Sequence, residues 1–94
     1  MALEFEWDLG KAAANLAKHG VAFEEASTAF ADLLSFSRPD PRHSHGELRF
    51  AILGRSARGR LLAVFYTERG PRTRIISARA ATRRERGTYE HGTF

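Results

Sequence analysis

The sequence predicts an α+β fold: an N-terminal strand and two helices packed on an antiparallel sheet of three to five strands, with a closing C-terminal helix. Three observations predict it. A helix start, Asp8, and a helix stop, Gly20, punctuate the first part of the chain. From Leu48 to Ala78 strand-like segments succeed one another across short turns, and strands joined that tightly pair antiparallel. Ninety-four residues at 43% hydrophobic content supply one modest core, made aromatic by seven Phe and Trp7, so a single domain over 1–94 is expected.

Leu3, Phe5 and Trp7 alternate with acids, the period of a half-buried strand. Asp8 stands at the N-cap of a helix running to about His19, with a thin apolar stripe of Leu9, Ala12 and Leu16. Gly20 suits the residue after the helix end, and Val21 the apolar contact beyond it. A second helix begins near Phe23; Ala26, Ala29 and Phe30 share a face, and Glu24 and Glu25 complement the dipole in its first turn. Leu33 to Ser37 reads as a short strand and 38–46, with two prolines and a glycine, as a loop. Leu48 to Gly54 alternates, with Leu48, Phe50 and Ile52 on one side. Arg55 to Gly59 is a turn, and Arg60 to Thr67, the most apolar segment, is the central strand. Glu68 to Arg72 turns through Gly70-Pro71 into a strand over Thr73 to Ala78. Ala80 to about Tyr89 is the closing helix, ended near Gly92.

Charge divides the chain. Residues 1–41 carry Lys11, Lys18 and Arg38 against seven acids, net −4; residues 42–94 carry twelve arginines against four acids, net +8. Thirteen arginines stand against two lysines in the whole chain. Guanidinium groups stay charged at any working pH and present a fork that fits phosphate bidentately, so this half faces a polyanion or an acidic protein. There is no cysteine, which removes disulfides and thiolate metal sites and fits a reducing cytoplasm. Met1 to Asp8 lacks the basic start and apolar stretch of a signal peptide, and no apolar run approaches membrane-spanning length.

With helices on one face of the sheet, the other is expected to carry Arg49, Arg74 and Tyr66, with Arg55, Arg58, Arg69 and Arg72 on the turns, Arg60 at the start of the central strand and Arg79 after the last. Such a face suits RNA better than duplex DNA, because unpaired bases stack on Tyr or Arg planes while guanidinium forks hold phosphates. A solvated face kept charged for solubility has the same pattern. Lys18 and His19 end the first helix, where cations complement the dipole; the same pair supplies a phosphate contact and a general acid or base. Cleaving RNA without a metal needs a group to take the 2′-hydroxyl proton, cations to hold the phosphorane charge and a donor to the leaving oxygen. His43 and His45, with only Asp40 and Glu47 as neighbouring acids, do not make up a zinc ligand set, and no metal or other cofactor is expected.

The ordered set Phe5-Glu6-Trp7-Asp8, Lys11, Asn15-Leu16, Lys18-His19-Gly20-Val21 and Phe23-Glu24-Glu25-Ala26 resembles the BrnT family of bacterial toxins. Asp40-Pro41-Arg42-His43-Ser44, Arg49-Phe50, Gly54-Arg55-Ser56, Tyr66-Thr67-Glu68-Arg69 and the run from Arg74 to Glu85 continue the resemblance, which covers about residues 5–90. Ala22, where a serine cap is usual, and Gly10 depart from the pattern. The resemblance implies a RelE/ParE-like fold and the toxin of a type II toxin–antitoxin system, a metal-independent endoribonuclease that inhibits translation. It implies as partners RNA and a BrnA-like ribbon-helix-helix antitoxin, in a heterotetramer of two toxins and two antitoxins that represses its own operon. On that reading Lys18, His19, Arg49, Tyr66, Arg74 and Arg79 are the catalytic group, with Glu68 as a substitute proton carrier. Arg55, Arg58, Arg60, Arg69 and Arg72 hold RNA. A non-catalytic antitoxin-binding module and a gyrase poison of the same superfamily are the alternatives.

Overall fold

The computed structural model describes residues 3–43 and 46–92, with only the backbone of His43. Strand β1 (Glu4–Glu6) leads into helix α1 (Leu9–His19). Asp8 caps that helix by accepting the Lys11 N–H at 2.8 Å. Gly20 ends it in the left-handed region at φ 70°, a conformation glycine adopts without steric cost. Helix α2 (Phe23–Thr28) starts without a side-chain cap at Ala22, carries Glu24 and Glu25 in its first turn, and runs on into a 3-10 turn, Ala29–Ala31. Strands β2 (Phe36–Pro39), β3 (Arg49–Arg55), β4 (Leu61–Arg69) and β5 (Arg72–Ala80) follow, then helix α3 (Arg83–His91). The α3 start is a reciprocal capping box between Thr82 and Glu85.

Among the described residues five strands form one sheet in the order β1-β5-β4-β3-β2. Four of them pair antiparallel as expected, but β1 runs parallel to β5. No tight turn joins those two strands, so nothing imposes the antiparallel sense that a hairpin does. The chain leaves β1 at one edge, crosses a face as α1 and α2, and re-enters at the opposite edge as β2. The short strand expected at 33–37 begins only at Phe36, because Asp32 accepts the Leu34 N–H at 3.0 Å and turns the chain there. It extends through Pro39, which an edge strand tolerates.

The core lies between α1 and α2 and the sheet: Val21, Phe23, Ala26 and Ala29 from the helical side, Ile52, Leu62, Val64, Tyr66, Ile75 and Ala78 from the sheet. Gly54 is required here, since a Cβ would lie 2.5 Å from the Ala29 carbonyl oxygen. Of the expected α1 stripe only Ala12 packs against the core: Leu9 is 80% and Leu16 52% exposed, and the buried residue is Asn15. Leu48, expected beside Phe50 and Ile52, lies before the strand and is exposed. Among the described residues no helix is long and apolar enough to cross a membrane.

Candidate active site

Cross-strand register assigns every sheet residue to a face. Opposite the helices lie Arg49, Thr67 and Arg74 in one row, Arg38, Ala51, Phe65 and Ser77 in the next, then Phe36, Leu53, Ala63 and Arg79. Simple alternation from Arg74 would turn Ser77 and Arg79 toward the core. The register shifts between Phe65 and Tyr66, leaving Ile76 as an extra residue, and this bulge brings Ser77 and Arg79 round to the face of Arg74. Helix α3 covers the far end of that face. Tyr89 stacks on Phe36 at 6.5 Å, lies under the Arg55 guanidinium at 5.6 Å, and donates to Asp32 Oδ2 at 2.6 Å.

Two hollows open where α3 leaves the sheet uncovered. One, of about 190 Å³, is lined by Asp40, Arg49, Phe65, Ile76 and Ser77. The other, of about 210 Å³, is lined by Lys11, Ala14, Asn15, Lys18, His19, Ile76 and Ser77. Ile76 and Ser77 belong to both, so the hollows adjoin along β5. The helix comes this close because β1 covers β5 only from Arg72 to Arg74. Beyond that, Asn15 takes the place of a strand. Its Nδ2 donates to the Ala78 and Val21 carbonyls, each at 2.9 Å, and its Oδ1 accepts the Ala78 N–H at 3.0 Å.

The structure therefore brings Lys18 and His19 beside one end of a hollowed face and Arg49 beside the other. Arg74 and Arg79 share that face but carry carboxylate partners. Arg74 bonds Glu6 at 2.8 Å, and that contact holds the Glu6 carboxyl below its ordinary range. Arg79 grips Glu85 through two bonds of 2.7 and 3.0 Å while its guanidinium lies 5.4 Å from the Phe65 ring centre.

Three expectations need correction. Tyr66 faces the helices and is buried. It bonds Ser37 at 2.9 Å, stacks on Phe50 at 5.5 Å and meets Phe30 edge-on at 5.0 Å, so it cannot stack a base on the arginine face. Phe65, one residue earlier, occupies that face. Glu68 alternates away from Thr67 and so from Arg49 and Arg74. Arg60 is committed to an ion pair: it bonds both oxygens of buried Glu25 and the Gly20 carbonyl, and Ser56 adds a bond to the same carboxylate at 2.7 Å. Those contacts, the Arg60 bond first, pull Glu25 down to about 2.

The other arginines expected on RNA are spread round the sheet. Exposed Arg58 lies 3.6 Å from Glu25, and Arg55 caps the Gly59 carbonyl at 3.1 Å under the latch of α3. Arg69 and Arg72, on the β4–β5 hairpin, lie 3.6 Å from Glu47 and 3.7 Å from Glu6. Lys11, Asp40, Phe65 and Ser77 line the hollows and were not among the site residues expected from the sequence, although Lys11 and Asp40 stand in the motifs of the resemblance. Lys11 had a further signal there, its spacing of seven from Lys18, which places both on one face of α1. Among the described residues no group of three or more His, Asp or Glu stands ready for a metal ion; Ser44, His45 and the His43 side chain lie outside those residues.

Comparison with known proteins bears on the whole arrangement. The family described as "Ribonuclease toxin, BrnT, of type II toxin-antitoxin system" matches over residues 7–85. A crystal structure of the Brucella abortus ribonuclease toxin BrnT superposes with a TM-score of 0.63 at 22% identity, covering 87% of this chain and 100% of that one. Its fold is that of the present chain. A comparison with curated proteins finds no match. With most of its length inside the family's pattern and the same architecture beneath it, the chain belongs to the BrnT family of toxins, which type II systems pair with a cognate antitoxin.

Proposed function

We propose that this toxin is a metal-independent endoribonuclease that cuts single-stranded RNA in the cytoplasm and thereby inhibits translation. The observation that carries the reading is the pair of adjoining hollows, with Lys11, Lys18 and His19 on one side of Ser77 and Arg49 on the other. A phosphodiester laid across Ser77 meets a proton acceptor and cations at once. His19 takes the 2′-hydroxyl proton as that oxygen bonds to phosphorus. Lys11 and Lys18 hold the charge that grows on the non-bridging oxygens. The 5′-oxygen leaves with a proton from solvent or from Ser77, giving a 2′,3′-cyclic phosphate and a free 5′-hydroxyl. Arg74 and Arg79, oriented by Glu6 and Glu85, extend the positive field along the flanking strand.

The family's pairing with an antitoxin supports the rest of the proposal: a ribbon-helix-helix partner whose acidic segment neutralises the arginine face, in an assembly of two toxins and two antitoxins. The test is purified toxin with RNA in excess EDTA. Cleavage should survive chelation and fall at least ~100-fold in His19→Ala. RNA that stays intact with and without EDTA, from a chain that still arrests growth, overturns the reading. Co-expression with the neighbouring reading frame should restore growth, and light scattering on the complex should report the mass of the heterotetramer.

A further inference from the structure

The two hollows differ in chemistry. The one reached by Lys11, Lys18 and His19 is a place for phosphate. The other has apolar walls from Phe65 and Ile76, and its polar lining includes a carboxylate, Asp40, and a guanidinium, Arg49. A carboxylate only accepts hydrogen bonds, whereas a guanidinium only donates them. At about 190 Å³ it suits one flat ring system rather than a stacked pair. Its position beside the phosphate hollow, across Ile76 and Ser77, is where the base of a nucleotide falls when its phosphate is gripped next door.

We propose that the hollow of Asp40, Arg49, Phe65, Ile76 and Ser77 binds one guanine of single-stranded RNA and sets where the strand is cut. This rests on the ribonuclease reading for the cut and on the hollow alone for the base. Guanine presents two adjacent N–H donors, N1 and N2, on its Watson–Crick edge, which match a carboxylate. It also presents O6 and N7 as paired acceptors, which match an arginine fork. Adenine and cytosine offer a carboxylate only an amino group, and uracil only one imino N–H. Unpaired RNA exposes both base edges and the ring face, as this mode of binding requires. The Asp40 backbone N–H bonds the Arg49 carbonyl at 2.8 Å, tying the two reading groups to one another at the β2–β3 edge.

The test uses uridine oligonucleotides carrying G, A, C or U at one central position. One set is 2′-O-methylated throughout, so it binds without being cut, and affinity is read by fluorescence anisotropy. The other is ribose throughout, and its products are mapped. The G probe should bind roughly tenfold to a hundredfold tighter than the others, and cutting should concentrate beside G. Asp40→Asn should bring the G probe to the level of the other three. Arg49→Lys keeps the charge but loses the fork; it should do the same and carries the readout should Asp40→Asn fail to fold. Four probes bound within twofold of one another overturn the proposal, and so does a preference that survives both substitutions. Cutting without base preference and with equal binding removes the guanine hollow and leaves the ribonuclease. G-selective binding without cutting does the reverse.

Discussion

The side-chain amide of Asn15 satisfies both polar groups of the Ala78 backbone, as a neighbouring strand would. This contact is what seats α1 against the open edge of β5 and so sets Lys18 and His19 beside Ser77. Asn15→Leu keeps the volume but leaves the Ala78 N–H and the Ala78 and Val21 carbonyls without that partner. It should cost about 2–4 kcal/mol and lower Tm by roughly 10–20 °C. Asn15→Asp sets a carboxylate against two carbonyls, which raises its pKa above the unfolded value of about 3.9. Whatever stability its protonated form recovers should be present below that pH and lost as the pH rises. Thermal melts from pH 3 to 7, referred to the native protein, decide both; an Asp variant that melts like the native chain at pH 7 would refute the edge-capping role.

The ion pair of Glu25 with Arg60 makes acid stability specific. Glu25 is depressed from 4.5 to about 2, chiefly by the Arg60 bond, so its contribution is complete above pH 4.5 and is lost as pH falls toward 2. The shift corresponds to about 3 kcal/mol at most. Glu25→Gln should therefore flatten the acid limb of the stability curve in that window relative to the native chain. Arg60→Met leaves the buried carboxylate with only the Ser56 hydroxyl and the more distant Arg58, and should cost about 3 kcal/mol at pH 7. Chemical denaturation at several pH values measures both. Parallel acid limbs for native and Glu25→Gln proteins would show that the pair does not govern acid unfolding.

Why part of this architecture could be read in the sequence and part could not is visible in these residues. Local signals were legible: Asp8 and Gly20 bound α1, alternation finds β3 and a continuous apolar run finds β4, because capping, pleat and two-sided burial are written within a few positions. Parity along β5 was not, because one bulged residue, Ile76, reverses which side chains share a face. Arg60 looked like one cation among many, since its partner Glu25 lies 35 positions away. Leu9 and Leu16 suggested the buried stripe of α1, yet the need to pair an open strand edge turned Asn15 inward instead.

Tyr66 and Phe65 are neighbours on β4 with opposite assignments. Tyr66→Phe removes the bond to Ser37 and should cost about 1 kcal/mol. It should leave affinity for single-stranded RNA unchanged, because the ring is on the helical side. Phe65→Ala removes a wall of the base hollow and should weaken RNA binding by roughly 1–3 kcal/mol, the range for a base–aromatic contact. Anisotropy titrations on the two variants separate the faces; a Tyr66→Phe protein that loses RNA affinity while keeping its fold would reverse the assignment.

Helix α3 buries no residue fully and is held by the Glu85 grip on Arg79 and the Tyr89 bond to Asp32. Elements with so little buried surface open on their own, below the global unfolding free energy. Tyr89→Phe deletes a hydrogen bond to a carboxylate, a contact of about 1.5–3 kcal/mol, from that local equilibrium. Trypsin cleavage after Arg83, Arg84 and Arg86 should accelerate roughly tenfold or more, and Tm should fall by roughly 8–15 °C. Equal proteolysis of both proteins would mean that α3 opens only when the whole chain unfolds.

Glu6 gives the sharpest test of the electrostatics. It bonds Arg74 at 2.8 Å and lies 3.7 Å from Arg72, and the Arg74 contact holds its carboxyl below the ordinary range, so it is charged throughout neutral pH. A phosphate near Arg74 must therefore share the guanidinium with a fixed anion. Glu6→Gln keeps the shape and removes that charge. Single-stranded RNA should then bind more tightly at low salt. The log–log slope of affinity against salt should steepen by roughly 0.7, the contribution of one further neutralised phosphate on a single strand. Pairs this near the surface add little to stability, so the fold should hardly change. The alternative is that Glu6 chiefly aims Arg74, in which case its loss lets the guanidinium wander and affinity drops at every salt concentration. Titrations from about 50 to 200 mM salt separate these outcomes by the sign of the affinity change alone, and a weaker, parallel line would take Arg74 out of the phosphate path.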